Sequence, residues 1–464
     1  MYGRALLRHL VREMARIKLS EHFNYGKLFR FVLPSVIMMV FTSIYGIVDG
    51  FFVANFAGET PFAALNLIFP LIMILGSVGF MLGTGGNAAV SKILGEGDNK
   101  RANEIFSMLV YTTVVLGVVL AAIGIALARP VAELFAANEK QMSAEQKAEL
   151  IEYCVVYARI ILCALPAFML QNAFQGFFVT AEKPRLGLYV TILAGCGNIL
   201  FDALFIMVFH WGIVGAAVAT ALNQLIGGLL PVFYFARKND SLLRLGKTRF
   251  DGKMLGKVCI NGLSELITNI SLSAIAILYN AQLMKLVGYQ GVSAYGVIQY
   301  IGFIFVGVFL GYSVGCAPII GYHYGAQNHF ELKNIFRKSL VIIGSLGVVM
   351  TAVAVAFARP LSDIFVEGEL LDMTTHGMRL NALSFLACGM NIFGSAFFTA
   401  LGNGGVSLVI SFLRTFFAQA AAVLILPAFL ELNGVWIACA VAECVTLLLT
   451  VAFFLGHRKR YQYA

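Results

Sequence analysis

Two acidic side chains lie within long apolar stretches, where an ionised group is costly. Asp202 follows Asn198 by four residues in LAGCGNILFDALFIMVF, which contains no other ionisable side chain. Asp49 is equally isolated in SIYGIVDGFFVANF. An acid inside a membrane span costs about 2.5–3.5 kcal/mol on insertion scales, and it is retained mainly where it faces a bundle interior or an ion path. The sequence therefore predicts that Asp49 and Asp202 are functional groups.

Spacing and depth bring further polar groups to the level of these acids. Residues four apart share one helix face, so Asn198 and Asp202 should point the same way. At a rise of about 1.5 Å per residue, Asp49, Asp202 and Thr220 lie at similar depths below one membrane surface. Carboxylate, amide and hydroxyl oxygens suit a small cation, and two neighbouring acids that cannot both ionise cheaply can instead hold a proton. We predict a site for H⁺ or Na⁺; the alternative is a structural hydrogen-bonded pair.

The second half of the chain carries different intramembrane charges. Glu265 and Arg414 lie at similar predicted heights and are expected to form a buried ion pair, because an unpaired member would be costly. Glu443 could instead attract a cationic ligand, with Arg379 as its candidate partner. No acid in this half stands at the level of Asp202, so the ion site is expected to be confined to the first half.

Composition places these residues in a membrane protein. Of 464 residues, 59% are hydrophobic and 12% are charged, whereas soluble proteins carry about 25% charged residues. Apolar runs of roughly 20 residues, long enough to cross a bilayer, recur along the chain. We predict an all-α integral membrane protein with twelve transmembrane helices, at about 30–56, 61–87, 105–128, 152–180, 187–209, 212–235, 258–284, 292–320, 337–358, 377–400, 406–430 and 434–456.

The net charge of +9 is distributed by topology. Alternate loops and the two ends hold 25 of the 33 lysines and arginines, whereas the opposite loops hold only Arg129, Lys140, Lys147, Lys285 and Arg359. By the positive-inside rule, both termini are predicted to be cytoplasmic. This distribution gives no reason to expect a nucleic-acid partner. No metal-ligand spacing, Gly-x-Ser-x-Gly or His-Glu-x-x-His motif occurs, so neither an enzyme nor a cofactor is expected.

An internal repeat appears when the chain is compared with itself at an offset of 230 residues. LGVV at 116–119 matches LGVV at 346–349, ARP at 128–130 matches ARP at 358–360, and Gly95 matches Gly325. Each half holds six spans, an even number, so the repeats are parallel and related by a pseudo-two-fold axis. Such proteins commonly bind their substrate between the halves and rock one half against the other.

The repeat and the charges divide the chain into four predicted regions. Residues 28–237 form a first lobe with spans 1–6, residues 238–257 a basic cytoplasmic linker, and residues 258–464 a second lobe with spans 7–12. Residues 1–27 carry Arg4, Arg8, Arg12 and Arg16 at four-residue spacing. This pattern predicts a basic amphipathic helix on an anionic membrane surface; the alternative is a poorly ordered tail.

Taken together, the chain resembles the multidrug and toxic compound extrusion (MATE) antiporters, in the bacterial branch related to MepA and DinF. The resemblance covers about residues 28–456. It rests on the two six-span lobes, on LP at 33–34 with VDG at 48–50, on GEGD at 95–98, on Asn198-x-x-x-Asp202, and on Thr220.

The resemblance implies roles for particular residues. Asp49, Asn198, Asp202 and Thr220 would form a first-lobe cation site with a span 4 amide, which is Gln175 by alignment or Asn172 by depth. Protonation of the acids would bend span 1 at its proline, here Pro34. The NorM branch has acids in mid span 7 and in span 10, and this chain has neither, which favours coupling through the first lobe.

The implied function is secondary antiport in the bacterial inner membrane. The chain would expel amphipathic, often cationic, drug-like compounds in exchange for H⁺ or Na⁺, by alternating access and as a monomer in contact with membrane lipid. The alternative is a lipid-linked precursor flippase of similar fold. Such flippases often add spans and carry a cationic cavity, so twelve spans and few buried arginines argue against it.

Overall fold

The computed structural model describes residues 17–137 and 143–463 of the chain. This part of the chain is helical apart from short turns and the loop that follows Ala236, and it contains no strand. The amphipathic helix predicted from Arg4 to Arg16 lies outside the described residues.

The first six spans run from Tyr25 to Ala236. Their bounds are Tyr25–Phe52 continued by a π-helical turn at Val53–Ala57 (span 1), Glu59–Gly95 (span 2), Asn99–Ala137 (span 3), Ala144–Cys163 with Leu165–Thr180 (span 4), Pro184–Asp202 continued by a π-helical turn at Ala203–Val208 (span 5), and Gly212–Ala236 (span 6).

The last six spans run from Gly252 to Tyr461. Their bounds are Gly252–Val287 (span 7), Tyr289–Gly325 (span 8), His329–Ala356 followed by a short helix at Ala358–Asp363 (span 9), Gly368–Asn381, Ala382–Ser384 and Phe385–Ala400 (span 10), Gly404–Phe412, a π-helical turn at Leu413–Phe417 and Ala418–Ile425 (span 11), and Pro427–Tyr461 (span 12).

The predicted number of membrane spans is confirmed. Within the described residues, eleven continuous stretches are long and apolar enough to cross a bilayer, and the bent pair that forms span 4 brings the number to twelve. The two pieces of span 4 meet at an angle of 55° around Ala164. Pro166 explains this bend, because proline has no N–H to donate to the preceding turn and its ring clashes with that turn's carbonyl.

Both ends of the described chain pack at the same end of the bundle. Leu19 and Phe23 before span 1, and Tyr461 and Tyr463 at the end of span 12, belong to one buried cluster that also contains Phe336. An even number of membrane crossings requires this arrangement. We call the side of the protein that carries both ends the termini face.

The two halves meet at the termini face through reciprocal glycine contacts. A Cβ placed on Gly95 of span 2 would lie 2.0 Å from the Tyr322 carbonyl oxygen of span 8, and a Cβ on Gly325 would lie 2.0 Å from the Lys92 carbonyl oxygen. These two contacts are related by the 230-residue offset found in the sequence. The repeat is therefore visible as a symmetric pair of backbone contacts.

Spans 2 and 7 approach just as closely deeper in the bundle. A Cβ on Gly262 would lie 1.9 Å from the Met81 carbonyl oxygen, and one on Gly85 would lie 2.1 Å from the Val258 carbonyl oxygen. Only glycine, which lacks a Cβ, allows backbones this close. Together with the Gly95 and Gly325 contacts, this packing closes the two halves against each other on the termini face.

Candidate functional site

Span 1 is held close to span 5 by a glycine that lies on the same helix face as the predicted ion ligands. Gly195, Asn198 and Asp202 are separated by three and four residues, so they share one face of span 5. A Cβ on Gly195 would lie 2.6 Å from the Phe41 ring and 2.9 Å from the Tyr45 ring. The absence of a side chain at this position therefore lets span 1 approach the face that carries Asp202.

The predicted acids meet in the interior of the first six spans. The Asp49 carboxyl group faces the Asp202 carboxyl group and the Thr220 hydroxyl group. Asp202 is 0% exposed and Asn198 is 1% exposed. Three spans thus bring two carboxyl groups and a hydroxyl group together, as their similar predicted depths require.

The polar atoms of this cluster lack protein partners. Within the described part of the chain, five atoms of this cluster are buried and make no hydrogen bond of acceptable distance and angle. They are Asp49 Oδ1, both carboxylate oxygens of Asp202, Thr220 Oγ1 and Asn198 Nδ2. A buried polar group without a partner costs about 1–3 kcal/mol, and more if it is charged. Such a cluster is stabilised by a bound cation or proton.

A tyrosine that the sequence reasoning did not single out completes the cluster. The Tyr157 hydroxyl group of span 4 faces Thr220, with Asp49 and Asp202 nearby. Its side chain is 4% exposed. A single tyrosine in an apolar span carries no distinctive sequence signal.

A second pair of polar groups borders the cluster on spans 1 and 6. The Tyr45 hydroxyl group faces Asn223 and is close to Asp49. Asn223 is 3% exposed, and its Oδ1 atom has no hydrogen-bond partner among the described residues. These two residues extend the buried polar cluster from Asp49 along span 6.

The two candidates for the span 4 amide lie in different surroundings. Gln175 lines a small cavity with Gln171 and with Gly187 and Thr191 of span 5. Gly187 and Thr191 lie about two to three helical turns nearer the termini face than Asn198. Asn172 is partly buried, and its Nδ2 atom has no hydrogen-bond partner in the described structure. Gln175 thus lies in a cavity that is not lined by Asp49 or Asp202.

The donor set fits a proton or a hard monovalent cation better than a transition metal. No group of three or more histidine, cysteine, aspartate or glutamate side chains in the described residues is arranged to hold a metal ion. Two carboxyl groups, two hydroxyl groups and an amide supply oxygen ligands, which hard cations prefer.

In the second half, the expected ion pair between Glu265 and Arg414 is not formed. The partner of Arg414 is Glu443, with Nη1 lying 3.5 Å from Oε1. Asn391 donates through Nδ2 to the other carboxylate oxygen of Glu443 at 2.7 Å, and its own Oδ1 accepts from the Thr450 hydroxyl group at 2.8 Å. Glu443 is 3% exposed, so it is a buried and satisfied carboxylate.

The expected partnership of Arg379 with Glu443 is also wrong. Arg379 is exposed near the end of Gly368–Asn381, whereas Glu443 is buried against Arg414. The expected pairing of Glu265 with Arg414 rested on heights counted along uniform α-helices. Arg414 lies in the π-helical turn Leu413–Phe417, which changes the direction of its side chain,.

The repeat counterpart of the first-half cluster contains no carboxyl group at the position of Asp49. Tyr279 occupies it and stacks on Tyr295 with ring centroids 4.6 Å apart. At the counterpart of Asn198, Gln419 donates through Nε2 to the sulfur atom of Cys439 at 3.8 Å. The two halves thus share a fold but differ in chemistry.

Pro34 lies inside a continuous helix, with its side chain buried. Because proline has no N–H, the carbonyl group of Arg30 lacks its usual helical partner. A bend at this position would therefore break fewer backbone hydrogen bonds than a bend elsewhere in span 1.

A bundle of twelve membrane spans with partnerless polar groups in its interior is typical of membrane transporters, and the comparisons with known proteins agree. A family profile described as MatE matches residues 34–204 and 266–424. These residues make up more than half of the chain. The chain therefore belongs to the MatE family; it is a MATE family transporter and not an enzyme.

Curated relatives match along almost the whole chain. Multidrug export protein MepA of Staphylococcus haemolyticus (strain JCSC1435) is 24% identical over 444 residues, which cover 94% of this chain and 93% of the relative. The MepA protein of Staphylococcus aureus (strain NCTC 8325 / PS 47) is 22% identical over 449 residues, which cover 94% of each chain.

Solved structures show the same fold. A MATE protein crystallised in the straight conformation superposes with a TM-score of 0.88 at 21% identity, covering 96% of this chain and 98% of the other. The outward-facing conformation of a multidrug resistance MATE family transporter of the MOP superfamily gives a TM-score of 0.86 at 21% identity and the same coverage.

Proposed function

We propose that this protein is a secondary antiporter that expels amphipathic, often cationic, organic compounds from bacteria in exchange for inward H⁺ or Na⁺. The ion would bind at Asp49 and Asp202, with Asn198, Thr220 and Tyr157 around it. The MepA relatives are named multidrug export proteins. Their match over most of this chain supports the same activity for it.

One observation carries the coupling part of this proposal. The carboxyl groups of Asp49 and Asp202 face each other in the interior, yet the buried oxygens named above have no hydrogen-bond partner in the described protein. Two such groups are stable together only if a proton or a cation is shared between them. Binding and release of that ion therefore change the local free energy enough to bias a conformational equilibrium.

Transport would proceed by movement of the two halves. An ion shifts the balance between two conformations only through its different affinity for each of them. We propose that residues 28–237 and 258–464 are the two lobes, that residues 238–257 link them, and that the termini face is cytoplasmic because its loops carry most of the lysines and arginines. The packed glycines at that face would separate when the protein opens inward.

The charge of the second half argues against a lipid-linked precursor flippase. A pyrophosphate-bearing lipid requires a cavity with unneutralised cations. Arg414, an arginine inside a membrane span, is instead paired with the Glu443 carboxylate.

Drug resistance of cells that carry single variants tests the proposal. Asp202→Asn keeps the size of the side chain but removes its ability to take up a proton or to neutralise a cation. We expect this variant to lose resistance to cationic dyes and drugs while inserting at the parental level. Asp363→Asn is a matched control, because Asp363 is exposed at the end of the short helix after span 9.

Two outcomes decide the proposal and the ion. Parental resistance in Asp202→Asn would remove the coupling role of this site. Dye efflux from proteoliposomes under an imposed pH gradient, compared with an imposed sodium gradient, identifies the ion, since only the coupled gradient drives uphill transport.

A further inference from the structure

The described chain before span 1 crosses the termini face between the two halves. We call residues 17–24 the N-terminal strap. Within it Leu19 and Phe23 are 0% exposed, whereas the neighbouring residues Lys18, Ser20 and His22 are exposed. Two apolar side chains four residues apart thus fix an otherwise exposed segment to the protein.

The strap contacts the first half at Leu19. The backbone N–H of Leu19 donates to Glu182 Oε1 at 2.8 Å. Glu182 lies in the turn between spans 4 and 5 and has a φ of 60°, a left-handed conformation that is uncommon for a residue with a side chain. The turn is thus shaped so that its carboxylate points to the strap.

The strap contacts the second half at His22 and Phe23, through Glu331 at the start of span 9. The Phe23 N–H donates to Glu331 Oε1 at 2.8 Å, and His22 Nδ1 lies 2.6 Å from Glu331 Oε2. The Phe23 carbonyl oxygen accepts from Asn334 Nδ2 at 2.9 Å and from Lys338 Nζ at 2.6 Å. Glu331, Asn334 and Lys338 are spaced to lie on one face of span 9.

The strap is short enough to limit separation of the halves. Leu19 and Phe23 are four residues apart, so even a fully extended strap spans at most about 14 Å between them. The first contact is to the turn between spans 4 and 5, and the second is to span 9. Any rocking motion that moves these elements farther apart must therefore release one end of the strap.

From these contacts we propose that the N-terminal strap is a latch that stabilises the state closed at the termini face, and that Glu331 is the positioning residue that holds it. The proposal rests on the alternating-access part of the proposed function. It does not depend on which ion or compound is transported. When the halves separate, the strap is released from Glu331 or from Glu182, and it docks again when they close.

A single cysteine between the halves reports opening without any transport assay. Ser91 is 0% exposed, and its Oγ atom would lie 2.2 Å from a Cβ on Gly321 of span 8. Ser91 and Gly321 are also related by the 230-residue offset. In a cysteine-free background, Ser91→Cys would react with a bulky maleimide only when the halves part, which is measured as a labelling rate in lipid nanodiscs.

We expect Glu331→Gln to raise this labelling rate about tenfold, because hydrogen bonds to a charged carboxylate are stronger than those to a neutral amide. Asn334→Ala removes a donor to the Phe23 carbonyl and to Glu331 Oε1 but keeps the Glu331 carboxylate, and it should raise the rate about threefold. Glu367→Gln is a matched control, since Glu367 is exposed in the turn before span 10.

A second reporter separates latch release from general loosening. Cys154 is 0% exposed in the core of the first six spans. As the sole cysteine, it should keep its slow labelling in Glu331→Gln and Asn334→Ala. Faster labelling at Ser91→Cys alone supports the latch, whereas unchanged labelling there, or equal acceleration at both reporters, overturns it. If Glu331→Gln does not fold, Asn334→Ala alone decides in the same way.

The latch and the ion site can fail separately. Asp202→Asn tests coupling by resistance, and the strap variants test closure by labelling without substrate or ion gradient. Loss of resistance in Asp202→Asn with unchanged labelling in the strap variants would refute only the latch.

Discussion

Substitution of Gly262 by alanine should shift the protein away from the state closed at the termini face. In the structure a Cβ at this position would lie 1.9 Å from the Met81 carbonyl oxygen and 3.0 Å from the Gly85 nitrogen. Both neighbours are backbone atoms, so no side-chain rotation can relieve the contact. Spans 2 and 7 must move apart by about 1.5 Å to restore an ordinary van der Waals separation.

The size of the expected shift follows from the cost of overpacking, which is about 1–3 kcal/mol for an added methyl group in a well-packed interior. This cost applies to the closed state and is relieved when spans 2 and 7 separate. The equilibrium should therefore shift towards the open state by about 5- to 150-fold. We expect a corresponding rise in the labelling rate of the Ser91→Cys reporter.

A glycine in the same helix provides the control. A Cβ on Gly256 would meet no atom within 4 Å. Both substitutions gain about 1 kcal/mol of helix propensity, and this gain applies to the open and closed states alike. Gly256→Ala should therefore leave the labelling rate unchanged. Equal labelling rates in Gly262→Ala and Gly256→Ala would refute the reasoning that the Gly262 contact holds the closed state together.

Three further outcomes are expected. Arg414→Met should lower the free energy of unfolding by about 3–5 kcal/mol, because it leaves the Glu443 carboxylate buried without its cation. In thermal unfolding, the double variant that adds Glu443→Met should recover much of this loss. Tyr157→Phe should reduce ion-driven dye efflux, since this change removes one hydroxyl group from the cluster, and it should alter the free energy of unfolding by no more than about 1.5 kcal/mol. Efflux at the parental rate would exclude Tyr157 from the site. Gly195→Val should abolish efflux at normal insertion levels, because its side chain would separate span 1 from Asp202; unaltered efflux would show that this approach is not required.

The membrane fold and the acids of the site followed from simple periodicity. Long apolar runs define the spans, since a bilayer requires about 20 residues per crossing. Asn198 and Asp202 share a face because they are four residues apart. Thr220 and Asp49 meet Asp202 because a nearly constant rise per residue puts them at one depth, and this estimate holds where the helices are regular.

The estimate failed where the helices are irregular. The pairing of Arg414 with Glu443 was missed because a π-helical turn redirects Arg414,. Tyr157 was missed because a lone tyrosine in an apolar helix gives no sign of which helix face packs on the site. Side-chain direction at such positions is set by tertiary packing, which a count along one helix does not contain.

The N-terminal strap could not be predicted for a different reason. Leu19 and Phe23 belong to a segment too short to show a hydrophobic period, and their partners Glu182 and Glu331 are 163 and 308 residues away in sequence. Nothing in one sequence links residues at such distances. Only the packed termini face brings them together.

The different chemistry of the two halves explains why an ion would act through only one of them. Glu443 is satisfied by Asn391 and Arg414, both of which belong to the protein. Its charge is therefore compensated whether or not an ion is present, and an ion gains little free energy there. Asp49 Oδ1 and both carboxylate oxygens of Asp202 have no such partner among the described residues, so a bound ion would supply the compensation. A ligand shifts a conformational equilibrium only by its different affinity for the two states. A movement that separates the Asp49 and Asp202 carboxyl groups would change the affinity of the first half for the ion. The same movement around Glu443 would not change it.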